Sequence, residues 1–193
     1  ARHWFGEMLM LQRRWEEAGE QLDTALEIDP LSPILHVAKA HSLALKGALE
    51  PALPIYDEAL RLNPGMYLAL KAKAYALLQL DRVEEAAEVA EQMSGGEGVA
   101  MRAVAAAMQD PRLIESTLAT VMAEGPGGIT GRARKFMLLG QHELAIRDMQ
   151  RMFAEQDPLN AYLDCIPQFE PLSSDPRSQA LLDQLVLPLA GQA

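Results

Sequence analysis

Small and apolar residues recur along the first part of the chain with the spacing of an amphipathic helix. They fall three or four positions apart at Ala18, Leu22, Ala25 and Leu26, and a proline follows at Pro30. Because the α-helix turns once every 3.6 residues, these side chains share one face. The pattern predicts a helix that buries that face and ends before the proline, which disrupts helical hydrogen bonding.

The same pattern returns 34 residues further along the chain. The pairs that match at this interval are Ala18 with Ala52, Leu22 with Tyr56, Ala25 with Ala59, Leu26 with Leu60, Ile28 with Leu62 and Pro30 with Pro64. A third copy over residues 81–93 keeps the interval at Ala86, and Gly98 takes the place of the terminal proline. A period of this length is typical of stacked helical hairpins, in which each unit covers the apolar face of its neighbour.

The pattern weakens after the third copy. Residues 94–98 are rich in glycine and predict a break in the chain. Two further helices are predicted over residues 99–108 and 112–124, and they meet at Asp110 and Pro111. Aspartate is suited to cap the second helix and proline to occupy its first turn. We interpret these two helices as a degenerate pair.

A glycine-rich loop and another hairpin follow. The glycines at positions 125, 127, 128 and 131 predict a linker, because glycine is the most permissive backbone residue. Helical spacing then returns at Ala133 and Phe136, and again at Ala145, Met149 and Met152 before Pro158. The predicted units are residues 1–98 with three hairpins, 99–124 with the helix pair, 125–158 with the loop and a hairpin, and 159–193 as a capping segment.

The capping segment carries its own helix signals. Asp175 is predicted to cap a helix whose first residue is Pro176. Leu181, Leu182 and Leu185 give that helix an apolar face. A final helix of this kind seals the exposed end of a stack of repeats.

The interval and its order of small and large residues resemble the tetratricopeptide repeat. Small residues stand where that family places them in the first helix of each hairpin, at Gly6, Ala40 and Ala74, and Leu9, Leu43 and Leu77 stand where it places a tyrosine. The resemblance implies an all-α protein, a right-handed α–α superhelix of about five hairpins with a C-terminal capping helix. Because the first hairpin lacks its earliest consensus position, we expect further residues before Ala1.

In this family the first helices of the hairpins line a concave face that binds proteins or peptides. The resemblance therefore implies the following binding residues on that face: His3, Glu7 and Met10 in the first hairpin, Ile34, Val37 and His41 in the second, and Lys71, Tyr75 and Gln79 in the third. The members that clamp a peptide's terminal carboxylate use lysine and asparagine there. Here only Lys71 matches, so that ligand class is not expected.

Over nearly its whole length the chain also resembles the C-terminal repeat region of bacterial multidomain regulators. These are CadC-type winged-helix transcription factors, class III adenylate cyclases and some serine/threonine kinases. The likeness lies in residues 16–18, 28–33 and 157–158 and in the final segment, where Ser178 replaces the usual aromatic residue. The resemblance implies a regulatory module attached to an effector domain.

Charge and composition narrow the classes of partner. The chain carries 27 acidic and 17 basic residues, a net charge of -10, which repels a phosphate backbone and argues against direct nucleic-acid binding by this segment. Basic residues concentrate only at Arg132, Arg134 and Lys135, which we predict to form a solvated helix face, with anion binding as the alternative. No apolar run reaches the length needed to cross a membrane, and a single cysteine, Cys165, fits a cytoplasmic protein.

No motif for catalysis, for a metal or for a cofactor is complete. His142 and Glu143 begin like a zinc-protease helix, but Ile146 stands where the second histidine is required. Ser42 follows His41 directly, and adjacent helical residues point in different directions, so they cannot form a nucleophile and its base. We therefore expect no catalytic residue, no metal site and no cofactor.

Three functions remain open at this point, and none is enzymatic. The first is a protein-interaction or scaffold module, which we expect to bind a protein, a peptide or an effector domain of its own chain. The second is a homo-oligomerisation element that forms a homodimer. The third is a sensor that binds a small ligand in the groove through His3 and His41.

Overall fold

The computed structural model describes residues 1–123, 129–157 and 163–185. Its helices are α1 (Arg2–Leu11), α2 (Trp15–Ile28), α3 (Pro33–Leu45), α4 (Leu49–Leu62), α5 (Tyr67–Gln79), α6 (Val83–Glu91), α7 (Gly96–Gln109), α8 (Ile114–Met122), α9 (Ile129–Leu138), α10 (His142–Ala154) and α11 (Pro176–Leu182). Short 3₁₀ turns cover Pro111–Leu113 and Pro167–Leu172. The described ranges contain no strand and no helix long and apolar enough to cross a bilayer.

Consecutive helices pack as hairpins, and each hairpin packs against the next. The pairs are α1 with α2, α3 with α4, α5 with α6, α7 with α8 and α9 with α10, and α2, α4 and α6 also contact the first helix of the following pair. This arrangement confirms the predicted all-α stack of hairpins. Residues 158 and 125–128, where the sequence predicts a helix-ending proline and a linker, lie outside the described residues.

The four alanines at the start of the second helices occupy equivalent places. Ala18, Ala52, Ala86 and Ala145 are each the fourth residue of their helix, and each is fully buried. A side chain no larger than a methyl group lets the two helices of a hairpin approach closely. The 34-residue interval between Ala18, Ala52 and Ala86 therefore marks a buried position that recurs in the first three hairpins.

The turns that precede α2, α4, α6 and α10 share one backbone conformation. The residue two positions before each of these four helices has a positive φ: 55° at Arg13, 91° at Gly47, 58° at Asp81 and 67° at Gly140. The next residue then donates its backbone N–H five residues back, as from Ala48 to the carbonyl of Leu43. This motif satisfies carbonyl groups left over at the end of a helix. The motif requires one residue in the left-handed region of backbone φ and ψ angles, and this conformation costs the least free energy at glycine.

Helix α7 begins earlier than the glycine-rich sequence predicts. It starts at Gly96, and Gly98 lies buried inside its first turn. A Cβ atom added to Gly98 would lie 2.6 Å from the carbonyl oxygen of Met93 and 2.9 Å from that of Ala90. Glycine is therefore present here because helix α7 packs directly on the end of α6. The helices are interrupted at residues 92–95, as the glycines predict, but the interruption ends before Gly96 and is shorter than the predicted one.

Two predicted caps are confirmed. The side chain of Asp110 accepts a hydrogen bond from the backbone N–H of Arg112, and that of Asp175 accepts one from the backbone N–H of Arg177. The leucines predicted to form the apolar face of the last helix pack against the main core. Ser178, which stands where the resemblance places an aromatic residue, is fully buried.

Candidate functional site

A cavity of about 350 Å³ lies where the first helices of several hairpins meet. Its wall comes from α1, α3, α4, α5, α9 and the short turn around residues 166–168. The lining residues are Glu7, Met10, His41, Ala44, Leu45, Tyr56, Leu68, Lys71, Ala72, Ala76, Gln79, Thr130, Gly131, Arg134, Ile166, Pro167 and Gln168. The concave side of the stack is therefore bounded by later parts of the same chain.

Five of the nine residues predicted for the concave face lie on this wall. They are Glu7, Met10, His41, Lys71 and Gln79. The other four lie elsewhere: Val37 and Tyr75 are buried, His3 and Ile34 are outside the cavity wall, and the His3 Nε2 atom is 3.5 Å from the Glu7 carboxylate. Val37 is 1% exposed and does not line the cavity, so it offers no surface to a partner there.

Tyr75 anchors helix α9 against helix α5. Its hydroxyl donates a hydrogen bond of 2.7 Å to the backbone carbonyl of Gly131, 56 residues further along the chain. A Cβ atom on Gly131 would lie 3.3 Å from the Tyr75 hydroxyl and 3.2 Å from Nζ of Lys71. Gly131 was predicted to belong to the linker, but it lies buried within α9. Its missing side chain allows the two helices to approach.

The guanidinium of Arg134 stacks on the same tyrosine. Its Cζ atom lies 3.8 Å from the centre of the Tyr75 ring, which is a favourable cation–π distance. Its Nε donates a hydrogen bond of 3.1 Å to Oε1 of Gln168. Arg134 thus joins the inner wall at α5 to the C-terminal turn.

Beside this stack, two lysines share one carboxylate. Glu97 Oε1 lies 3.2 Å from Nζ of Lys71 and 3.0 Å from Nζ of Lys135, and Tyr67 donates a hydrogen bond of 2.9 Å to Glu97 Oε2. Burial alone raises the pKa of Glu97, but the two ammonium groups outweigh it and hold that pKa below its ordinary value. Burial also lowers the pKa of Lys71, against the pull of Glu97.

The basic cluster on α9 is therefore not a solvated face, and that prediction is wrong. The Lys135 side chain is 0% exposed, and the Arg132 guanidinium donates to both oxygens of Asp148 at 2.6 and 2.7 Å. Arg134 is partly buried against Tyr75. All three positions share a helix that is enclosed on several sides, which the sequence around them does not reveal.

His41 is a neutral group on the cavity wall. Burial lowers its pKa from 6.5 to about 4, and the positive charge of Arg134 adds to the shift. Its ring meets the Tyr56 ring edge-on, with centroids 5.9 Å apart. Among the described residues, the acidic and strongly basic side chains of the wall are those of Glu7, Lys71 and Arg134.

The C-terminal turn reaches back to the first hairpin. The Cys165 thiol lies 3.6 Å from the backbone carbonyl of Met10, and Arg13 forms an ion pair of 3.0 Å with Asp164. Burial raises the pKa of the Cys165 thiol, so it remains protonated at neutral pH. These contacts hold Ile166 and Gln168 at the cavity wall.

The wall combines charged, polar and apolar groups. Within the described ranges, no three side chains of histidine, cysteine, aspartate or glutamate are grouped to hold a metal ion. His142, from the incomplete zinc motif, lies exposed at the start of α10. Sequence reasoning missed Tyr56, Arg134 and the turn at 166–168, because none of them lies at a first-helix position of the regular repeats.

The fold and the site together define a helical-repeat protein with a cavity on its inner side. A crystal structure of a tetratricopeptide repeat protein from Parabacteroides merdae ATCC 43184 is similar, with a TM-score of 0.56 and 19% sequence identity over 95% of this chain and 76% of that one. This likeness shows the tetratricopeptide-repeat fold. A crystal structure of YrrB, described as a TPR protein with an unusual peptide-binding site, aligns with a TM-score of 0.47 and 21% identity over 87% of this chain and 92% of YrrB. No protein-family model and no curated protein sequence matches the chain.

Proposed function

We propose that the chain is a non-catalytic binding module that holds a protein or peptide partner on its inner wall. One observation carries the proposal: Glu7 from α1, His41 from α3, Lys71 from α5 and Arg134 from α9 converge on the same cavity. Stacked hairpins place equivalent helices side by side, so a ligand on that side contacts several repeats at once.

The inner wall suits recognition because it combines charged groups with apolar surface. Small side chains such as Ala72 and Ala76 leave room between the helices, while Gln79 offers a polar contact at the edge. Sites of this composition bind ligands through apolar contact and gain specificity from a few placed polar groups. No group in the wall needs to react for that function.

A pair of matched substitutions tests this proposal. Twelve-residue peptides selected from a random displayed library for binding to the wild-type chain are titrated against two variants. Gln79→Arg places a large charge on the cavity wall, and Gln92→Arg makes the same change on the exposed surface after α6. We expect the first variant to weaken binding at least tenfold and the second to leave it unchanged. Equal binding to both variants would show that the inner wall is not the binding surface.

We further propose that this module is the C-terminal regulatory part of a larger bacterial signalling or transcriptional regulator. The support is the sequence likeness in residues 16–18, 28–33 and 157–158 described above. Sequencing the gene around this segment tests it. A winged-helix, cyclase or kinase domain is expected upstream, and an unrelated neighbouring domain would contradict the proposal.

A small-ligand sensor is the second candidate, and the shape of the cavity favours it. Six segments bound a space of about 350 Å³, which falls within the usual range for small-molecule pockets. A ligand that binds only the folded chain raises its unfolding temperature, and the rise grows with the ratio of free ligand concentration to Kd. Screening a small-molecule collection by thermal unfolding tests this candidate, and the absence of any stabilising compound would argue for the peptide-binding function alone.

A further inference from the structure

We propose that the cavity binds a small organic monocarboxylate with an apolar body, and that Arg134 is the residue that binds its carboxylate. This inference rests on the ligand-sensor function proposed above and names its ligand class. It is drawn from three features of the cavity, which are the pairing state of its cations, the composition of its wall and its net charge.

Arg134 differs from the other two basic residues of its helix. Arg132 is paired with Asp148 and Lys135 with Glu97, both at hydrogen-bonding distance. Arg134 has no carboxylate partner among the described residues, and its only hydrogen bond there runs from Nε to Gln168. The N–H groups of its two terminal nitrogens are therefore available to donate hydrogen bonds to another acceptor. A guanidinium matches the two oxygens of a carboxylate.

The position of Arg134 makes an anionic ligand favourable. Burial lowers the pKa of Arg134, and arginine nevertheless remains charged in proteins. A charge removed from water without a partner destabilises the folded state, and a bound carboxylate relieves that penalty. Stacking on Tyr75 fixes the plane of the guanidinium, so the group is already oriented before a ligand arrives.

The rest of the cavity wall favours a ligand with an apolar body. Met10, Leu45 and Ile166 present hydrophobic side chains, and Ala44 and Ala76 leave space between them. Burial of apolar surface stabilises binding by roughly 25 cal/mol for each Å² removed from water. A compact hydrocarbon of a few carbon atoms can lie against these residues while its carboxylate meets Arg134.

The charges in the wall favour a single negative charge on the ligand. Lys71 is already paired with Glu97, and Glu7 places a carboxylate on the same wall. His41 is neutral at pH 7. A dianion such as phosphate would meet one uncommitted guanidinium within the described part of the wall and be repelled by Glu7. A monocarboxylate is therefore the better match.

Isothermal titration of the 193-residue chain with matched probes tests the inference. Hexanoate carries the proposed chemistry, hexanamide has the same shape without the charge, and inorganic phosphate has charge without the apolar body. N-acetyl-leucine and a ten-residue peptide that ends in leucine distinguish a free acid from the end of a protein chain. We expect hexanoate and N-acetyl-leucine to bind, and hexanamide, phosphate and the peptide to bind at least tenfold more weakly.

Three variants locate the site. Arg134→Gln should weaken hexanoate binding about tenfold or more, while Arg61→Gln, at an exposed arginine of α4, should leave it unchanged. Ala44→Leu keeps Arg134 and fills the cavity, so it should abolish binding by steric exclusion. Circular dichroism of each variant shows whether it is folded. If Arg134→Gln does not fold, the loss of hexanoate binding in Ala44→Leu tests whether the cavity is the binding site.

The outcomes separate this inference from the proposed function. Equal binding of hexanoate and hexanamide that is lost in Ala44→Leu would overturn the carboxylate assignment and leave the cavity as a ligand site. Tight binding of the ten-residue peptide alone would overturn the free-acid assignment and support the peptide-binding module. Failure of every probe to bind would overturn the inference, whereas the selected peptides would still test the inner wall separately.

Discussion

The buried histidine gives the chain a defined dependence of stability on pH. Burial and the charge of Arg134 hold the pKa of His41 at about 4 in the folded state, against 6.5 for an exposed histidine. Between these two values the unfolded chain binds a proton that the folded chain does not. Stability is therefore lost as the pH falls through this window, with the contribution of His41 complete above 6.5.

The magnitude follows from the two pKa values. Lowering the pH from 7 to 5 protonates most of the unfolded histidine and little of the folded one, which destabilises the fold by about 2 kcal/mol. His41→Gln removes the titrating group. Between pH 7 and 5 the free energy of unfolding of the variant should therefore fall by about 2 kcal/mol less than that of the wild type. Carboxylates contribute equally to both proteins and cancel in the comparison.

Urea unfolding followed by circular dichroism at pH 7, 6 and 5 measures this difference. His142→Gln, at an exposed position on α10, is the matched control and should follow the wild type at each pH. The reasoning is refuted if His41→Gln and the wild type lose the same free energy of unfolding between pH 7 and 5. A second refuting result is an NMR titration in which the His41 ring protonates in the folded chain near pH 6.5.

Three further substitutions test the packing and the ion pairs. Gly98→Ala should destabilise the fold by about 2 kcal/mol or more, since its Cβ would overlap the Met93 carbonyl, and a lower midpoint of urea unfolding would show this. Gly47→Ala should cost about 1 kcal/mol because its φ is 91°, whereas Gly65→Ala, with no positive φ and open space around it, should be close to neutral. Glu97→Gln should cost about 3 kcal/mol in urea unfolding because it removes the carboxylate that Lys71 and the buried Lys135 share, and Glu85→Gln, in an exposed ion pair with Arg82, should cost less than 1 kcal/mol. An equal effect of the two glutamate changes would contradict the role assigned to Glu97.

Local pattern was enough to predict the hairpins. The alanines at 18, 52 and 86 repeat at a fixed interval, and each is buried at the same place in its helix. The helix caps at Asp110 and Asp175 could likewise be predicted from the sequence, because each cap is a hydrogen bond between residues two positions apart. Helical periodicity and capping depend on near neighbours in sequence, so the sequence by itself determined the elements and the way they pair.

Only the tertiary structure decided what the inner side of the stack contains. Helix α9 meets α5, and Tyr75 donates a hydrogen bond to the carbonyl of Gly131, 56 residues further along the chain. In this arrangement Lys135, a predicted surface residue, is buried, and Arg134 lies on the cavity wall. A short-range sequence pattern does not report contacts between residues this far apart in the chain. The sequence therefore determined which helices form, and long-range packing determined which of their charged residues face the cavity.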